Sequence, residues 1–210
     1  MKKLVLTFAA LMALTAMNAQ ETESSAQTRF GIKAGVNIAT LDGDVEASGS
    51  RTGLHAGFVA EIMVSDKFSI QPEVLYSMLG AKEKAAEMVD GVLVTAEGTY
   101  KFDYIAIPVM AKYYVTEGLS LEAGPQISFL VSAKVEVEGN YGGVDVTTEE
   151  EMKDVIKSTD FGFNVGLGYE LPMGLFFQGR YTAGLSNIYD GEGDGDIRNG
   201  VAQISVGYKF

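Results

Sequence analysis

From Arg29 onward the chain alternates apolar and polar residues with a period of two, and few folds accommodate that pattern over such a length. Phe30, Ile32, Ala34, Val36 and Ile38 alternate with Gly31, Lys33, Gly35 and Asn37. The same rhythm returns over 54–64, 68–78, 105–113, 119–131, 161–171, 175–185 and 202–210. Eight strands are predicted. Not one of their apolar-phase positions carries a charge, although 21% of the chain is charged. Tyr100, Phe102 and Tyr104 fall out of phase with Ile105 onward, which predicts a bulge near 103–105.

The links between these runs alternate in length. Those at 65–67, 116–118 and 172–174 are short, whereas those at 40–50, 80–99, 133–159 and 188–198 are long. Tight turns at one rim and long loops at the other describe an all-β, up-and-down antiparallel barrel with short periplasmic turns and long outer loops.

Alternation alone does not say which face is dry, and a soluble lipocalin-like barrel, apolar inside, has the same period. The polar phase is crowded with glycine, including Gly31, Gly35, Gly57, Gly124, Gly166 and Gly207. Small residues suit the cramped lumen of eight strands but weaken a solvent-facing strand. Apolar-phase aromatics such as Phe30, Phe68, Tyr76, Tyr113, Phe161, Tyr169, Tyr208 and Phe210 lie toward strand ends, as an interfacial girdle requires.

The first residues supply an address. Lys2 and Lys3 precede an apolar run over 4–16, followed by Met17, Asn18, Ala19 and Gln20. That layout predicts a secretory signal peptide over 1–19, a short tail at 20–28 and a barrel domain at 29–210. The run is too short to span a bilayer as a helix. The absence of cysteine excludes a disulfide-stapled domain, a thiolate metal site, a cysteine nucleophile and a lipid-modified cysteine. A formal charge of −12 excludes a general electrostatic affinity for nucleic acid or for an anionic lipid surface.

The opening strand GIKAGVNIATL, the YIAIPVMAKYY strand with its central Pro108, the YTAGLSNI segment at 181–188 and the VGYKF terminus resemble PorT-like outer-membrane β-barrel proteins. The resemblance covers 30–210. It implies location in the cell outer membrane, contact with outer-membrane lipid and lipopolysaccharide, and a final strand read by the barrel-assembly machinery. Ile204, Val206, Tyr208 and Phe210 match that terminal pattern. Some relatives serve a secretion apparatus, and many have no assigned activity.

Chemistry-bearing residues are sparse. Lys33, Glu61, Glu73, Lys112, Glu122 and Arg180 share the lumen phase and are expected to neutralise one another in one ion-pair layer. A gated polar path is the alternative use of the same residues. The run Asp190-Gly-Glu192-Gly-Asp194-Gly-Asp196 begins like a calcium loop, but Val201 stands where a bidentate Glu belongs, so a solvated acidic outer loop is expected. Residues 148–158 read as a short helix, with Thr148 and Glu151 as a capping box and Met152, Val155 and Ile156 packing over the barrel mouth. His55 is the single histidine and lies in the lumen phase near the long-loop rim. An acyl-transfer enzyme needs a serine beside it, and no G-x-S-x-G occurs. No catalytic, cofactor or metal site is assigned. The sequence points to a non-enzymatic structural or interaction module working through its outer loops, with a small gated channel or a secretion component as the alternative and an outer-membrane lipid-modifying enzyme as the third class.

Overall fold

The computed structural model describes residues 28–43, 49–89, 92–141, 144–191 and 195–210. The expected signal peptide at 1–19 and nearly all of the tail at 20–28 lie outside the described residues, as does the middle of the acidic loop, 192–194. Among the described residues there are nine strands. They are β1 Thr28–Gly43, β2 Gly49–Ser65, β3 Phe68–Val89, β4 Val92–Tyr114, β5 Leu119–Tyr141, β6 Val144–Glu151, β7 Thr159–Glu170, β8 Leu175–Gly184 and β9 Ile197–Lys209. Eight of them form a ring of antiparallel neighbours in the order β1, β2, β3, β4, β5, β7, β8, β9. The ring closes where Gly31 of β1 pairs Lys209 of β9 and the Phe210 N–H donates to Phe30 O at 2.9 Å.

The faces are inverted relative to a soluble protein. Ile32, Leu54, Phe58, Val109, Leu121, Phe163, Leu167 and Ile204 stand exposed on the outside. Lys33, Asn37, Glu61, Gln71, Glu73, Lys112, Glu122, Asn164 and Arg180 are buried inside. Adjacent residues show the contrast most plainly, for Val165 is 49% exposed and Asn164 is 0% exposed. Outward aromatics form two belts, one near the short turns (Tyr113, Tyr169, Phe177, Tyr208) and one toward the other rim (Tyr76, Phe161, Tyr181). Along β7 the eight steps from Phe161 to Tyr169, tilted as barrel strands are, span roughly 20 Å of apolar band. That is close to the height a bilayer demands.

Three expectations are corrected. First, a ninth strand exists: β6 pairs only with the upper part of β5, from Lys134↔Glu151 to Tyr141↔Val144. Second, the long link at 80–99 is largely strand, because β3 and β4 pair continuously out to Val89↔Val92. The link at 133–159 is likewise built from β5, β6 and a single 3₁₀ turn at Lys153–Val155. Thr148 and Glu151 lie in β6, not in a helical capping box, and Met152 caps the turn without a side-chain bond. The local S/T-x-x-E pattern is overridden by cross-strand pairing with β5. Third, the bulge sits on the opposite strand. Asp103 pairs Ser132 and Tyr104 pairs Leu130, so Val131 of β5 is the extra residue. β4 keeps one parity throughout, and Phe102 and Tyr104 point inward, 1% and 0% exposed.

The upper parts of β3, β4, β5 and β6 form a four-stranded sheet standing beyond the ring. One of its rows runs Lys82, Thr99, Glu136, Glu149. Its outward face is laced by ion pairs of Glu97 with Lys82 (2.7 Å) and Lys84 (3.0 Å), Lys101 with Glu136 (2.5 Å) and Lys134 with Glu149 (2.6 Å).

The inversion predicts how single arginines are received. Val165→Arg should destabilise the barrel by about 2–4 kcal/mol, the cost of a cation at the bilayer midplane. Asn164→Arg should act by crowding the lumen, and its cost should not depend on bilayer thickness. Urea unfolding in bilayers of different thickness checks this; a thickness-dependent cost at Asn164 with tolerance at Val165 would reverse the assigned faces.

Candidate functional site

The lumen holds the densest chemistry. All six charged residues expected there are brought together, and each is at most 5% exposed. Arg180 grips Glu73 with both fork nitrogens, at 2.8 and 3.1 Å. Lys33 lies 2.8 Å from the same carboxylate and donates to Gln178 at 3.0 Å. Lys112 bridges Glu61 (3.1 Å) and Glu122 (3.4 Å), and Glu122 reaches Arg180 at 3.6 Å. Gln71 donates to Glu73 at 2.8 Å and Gln178 to Glu122 at 2.7 Å, so amides fill the remaining gaps. Buried charges are tolerated only when paired and hydrogen-bonded in this way.

Three members were not singled out from the sequence. Lys209 donates to Glu61 at 2.7 Å and to Glu170 at 2.8 Å, while Arg29 pairs both carboxylates near the short-turn rim. The parity of β1, β7 and β9 carried that information, since all three residues sit in the lumen phase. The network therefore reaches the periplasmic mouth as two linked tiers, deeper than the single layer expected.

His55 does meet a serine. Its Nδ1–H donates to Asn37 Oδ1 at 2.7 Å, and its Nε2 accepts from Ser205 Oγ at 2.8 Å. This tautomer follows because the amide oxygen is an acceptor only. The hydrogen-bond order is that of nucleophile, base and orienter. Register explains the meeting: His55 and Ser205 both lie opposite Gly35, from β2 and β9 respectively. A Cβ at Gly35 would come within 2.7 Å of His55 Cε1, so only glycine leaves the ring its place. The three side chains are 2%, 0% and 4% exposed, and Gln203 also donates to Asn37 Oδ1 at 2.9 Å. The set is thus enclosed in the packed lumen.

Above the polar tiers the interior turns apolar. Leu41, Leu79, Phe102, Tyr104, Ile188 and Val201 form a cluster, with Ile156 buried and Met152 and Val155 packed against it. The segment over the mouth is pinned by Lys157 N–H to Ile188 O at 2.8 Å, by Asp190 N–H to Val155 O at 2.9 Å and by the Ile156↔Tyr189 bridge. The stripe Met152, Val155 and Ile156 thus packs over the barrel mouth as expected. Among the described residues no group of three or more His, Cys, Asp or Glu converges as a metal site.

Arg180→Ala should lower unfolding stability by about 3 kcal/mol, since Glu73 loses its bidentate partner and keeps only Lys33 and Gln71. Arg180→Lys should lose less, retaining the charge without the fork. A urea midpoint in detergent or lipid that is unchanged by Arg180→Ala would contradict the ion-pair reading.

The sequence over 18–190 matches the family described as outer membrane protein beta-barrel domain. No curated protein matches the chain. Among solved structures, Neisserial surface protein A is similar at a TM-score of 0.51 and 14% identity, covering 86% of this chain and 97% of that one. Ail, the attachment invasion locus protein of Yersinia pestis, is similar at a TM-score of 0.45 and 13% identity, covering 88% of this chain and 99% of its own. Inverted faces, ring closure and the family match agree, and the chain belongs to the outer membrane protein beta-barrel domain family.

Proposed function

We propose that this outer-membrane barrel is a non-enzymatic interaction module that works through the four-stranded sheet it raises beyond the membrane. The observation that carries this reading is the division of labour along the barrel axis. The lumen is packed with paired charges and roofed by an apolar cluster, which leaves no wide path for solute. The sheet, by contrast, presents exposed strands at its two sides and a charged outward face. The PorT-like resemblance fits the same reading, as do a signal peptide removed after Ala19 and a last strand recognised during assembly through Ile204, Val206, Tyr208 and Phe210.

Shortening the sheet tests the reading. Residues 83–98 and 137–148 are each replaced by Asn-Gly, which rejoins the directly opposed pairs Lys82↔Thr99 and Glu136↔Glu149 by two-residue turns. The variant should insert as a heat-modifiable barrel yet lose the protein cross-links that the intact chain forms in whole outer membranes. Undiminished cross-links would move the interacting surface elsewhere.

The lumen reading is tested separately by planar-bilayer recording. The unmutated protein should show no steady, large conductance; sustained conductance would promote a small channel above the interaction role. Deleting Phe210 should reduce assembly in the outer membrane several-fold, and normal accumulation without it would remove the terminal residue from the assembly signal.

A further inference from the structure

The apolar cluster at the barrel mouth continues upward along one face of the protruding sheet. Its members Ala81, Phe102 and Ala133 share their inward phase with three cross-strand rows. These rows are Ala81–Tyr100–Val135–Glu150, Glu83–Gly98–Val137–Thr148 and Ala85–Ala96–Gly139–Val146. The two middle strands, β4 and β5, place no charge on this inner face. Val137 is 42% exposed and Val146 60% exposed, so the apolar strip is open to water. A methyl group built on Gly98 would meet no atom within 4 Å, and one on Gly139 would meet only Thr95 O at 3.9 Å. The two glycines thus leave a shallow, uncovered trough between Tyr100 and the valines. Exposed apolar surface of this kind, bounded by charge, marks a place where another molecule is received.

Charge is sorted between the two faces. Lys82, Lys84, Lys101 and Lys134 all stand on the outward face, and each pairs with a glutamate there. In the three inner rows the charged residues are Glu83 on β3 and Glu150 on β6, one on either side of the trough. Among the described residues neither carboxylate has a cationic partner, and Glu83 accepts only the Tyr100 hydroxyl, at 3.2 Å. Two negative margins repel anionic groups and select a partner that carries basic side chains. A sheet face offers no backbone hydrogen bonds, so a strand laid on it would leave its own N–H and C=O groups unpaired. A helix satisfies those groups internally and brings only side chains. The strands bearing the two margins are three spacings apart, roughly 14 Å, room for one helix of about 10 Å diameter. We propose that this inner face docks a basic amphipathic helix of another protein, its large apolar side chains over Gly98 and Gly139 and its cationic margins on Glu83 and Glu150.

This inference rests on the reading of the sheet as the interacting part and names the face and the chemistry of its partner. The chain has no cysteine, so an introduced cysteine is unique. Val146 and Thr147 are adjacent and both exposed, Val146 on the inner face and Thr147 on the outward one. The probe is a synthetic amphipathic helix with leucine along one face, lysine on both margins and one cysteine among the leucines. Oxidised with full-length protein in zwitterionic lipid nanodiscs, it should be trapped about five-fold more by Val146→Cys than by Thr147→Cys. Adding Glu83→Lys and Glu150→Lys to Val146→Cys should cut trapping about five-fold, and a probe with glutamate margins should restore it. Added salt should weaken trapping by Val146→Cys alone, a readout that needs no charge variant. Equal trapping at 146 and 147 overturns the proposal, as does trapping indifferent to both salt and charge reversal. If the probe shows no preference for 146 while the shortened sheet still abolishes protein cross-links in whole outer membranes, the interaction reading stands and this face is not its site. If neither experiment responds, both fail.

Discussion

A backbone in hydrocarbon has no water to satisfy its N–H and C=O groups, so a strand there survives only inside a closed ladder. Everything else in this molecule follows from meeting that constraint with eight strands. The pairing of β1 with β9 abolishes the edge. The closed ring is then too narrow for water to fill, so its inner face has to be filled by side chains. Those side chains are charged because the outward phase is given over to lipid. Their charges are bearable because Glu61, Glu73, Glu122 and Glu170 each meet at least one cation.

The same constraint separates stability from function. Glycines at the inner phase make room for the network: a Cβ at Gly168 would collide with Glu122 Oε1 and Ser120 Oγ. The His55, Asn37 and Ser205 set has the connectivity of a hydrolytic triad but belongs to this packed interior, where it ties β1, β2 and β9 together. Beyond the barrel the ladder continues through the upper parts of β3, β4, β5 and β6, whose residues 83–86 and 146–151 are exposed.

Much of this was legible in the sequence, because period-two alternation and the exclusion of charge from one phase are local signals. Lys33, Glu61, Glu73, Lys112, Glu122 and Arg180 were found in the lumen by parity alone. What parity could not supply was register: that His55 and Ser205 share Gly35 as a common opposite, or that Arg29 and Lys209 converge on Glu170, depends on how strands slide past one another. The outer hairpins were missed because the apolar face that marks a membrane strand stops at the interface. Above it, β3, β4, β5 and β6 are held by cross-strand pairs such as Lys82–Glu97 and Lys134–Glu149, which a hydrophobic pattern does not reveal. The aromatics Phe102 and Tyr104 misled for a related reason. They resemble lipid-facing residues but cap the interior, and the phase change they suggested occurs across the ladder at Val131.

The alternating faces of each strand divide lipid from a filled, polar lumen. Single cysteines carried in turn from Phe161 to Tyr169 along β7 and spin-labelled in a bilayer measure this directly, through collision with dissolved oxygen and with a water-soluble paramagnetic reagent. High oxygen collision and mobile labels are expected at 161, 163, 165, 167 and 169. At 162, 164, 166 and 168 the labels should be immobile and reached by neither reagent. Loss of the alternation, or ready access of the water-soluble reagent to the even positions, would contradict it.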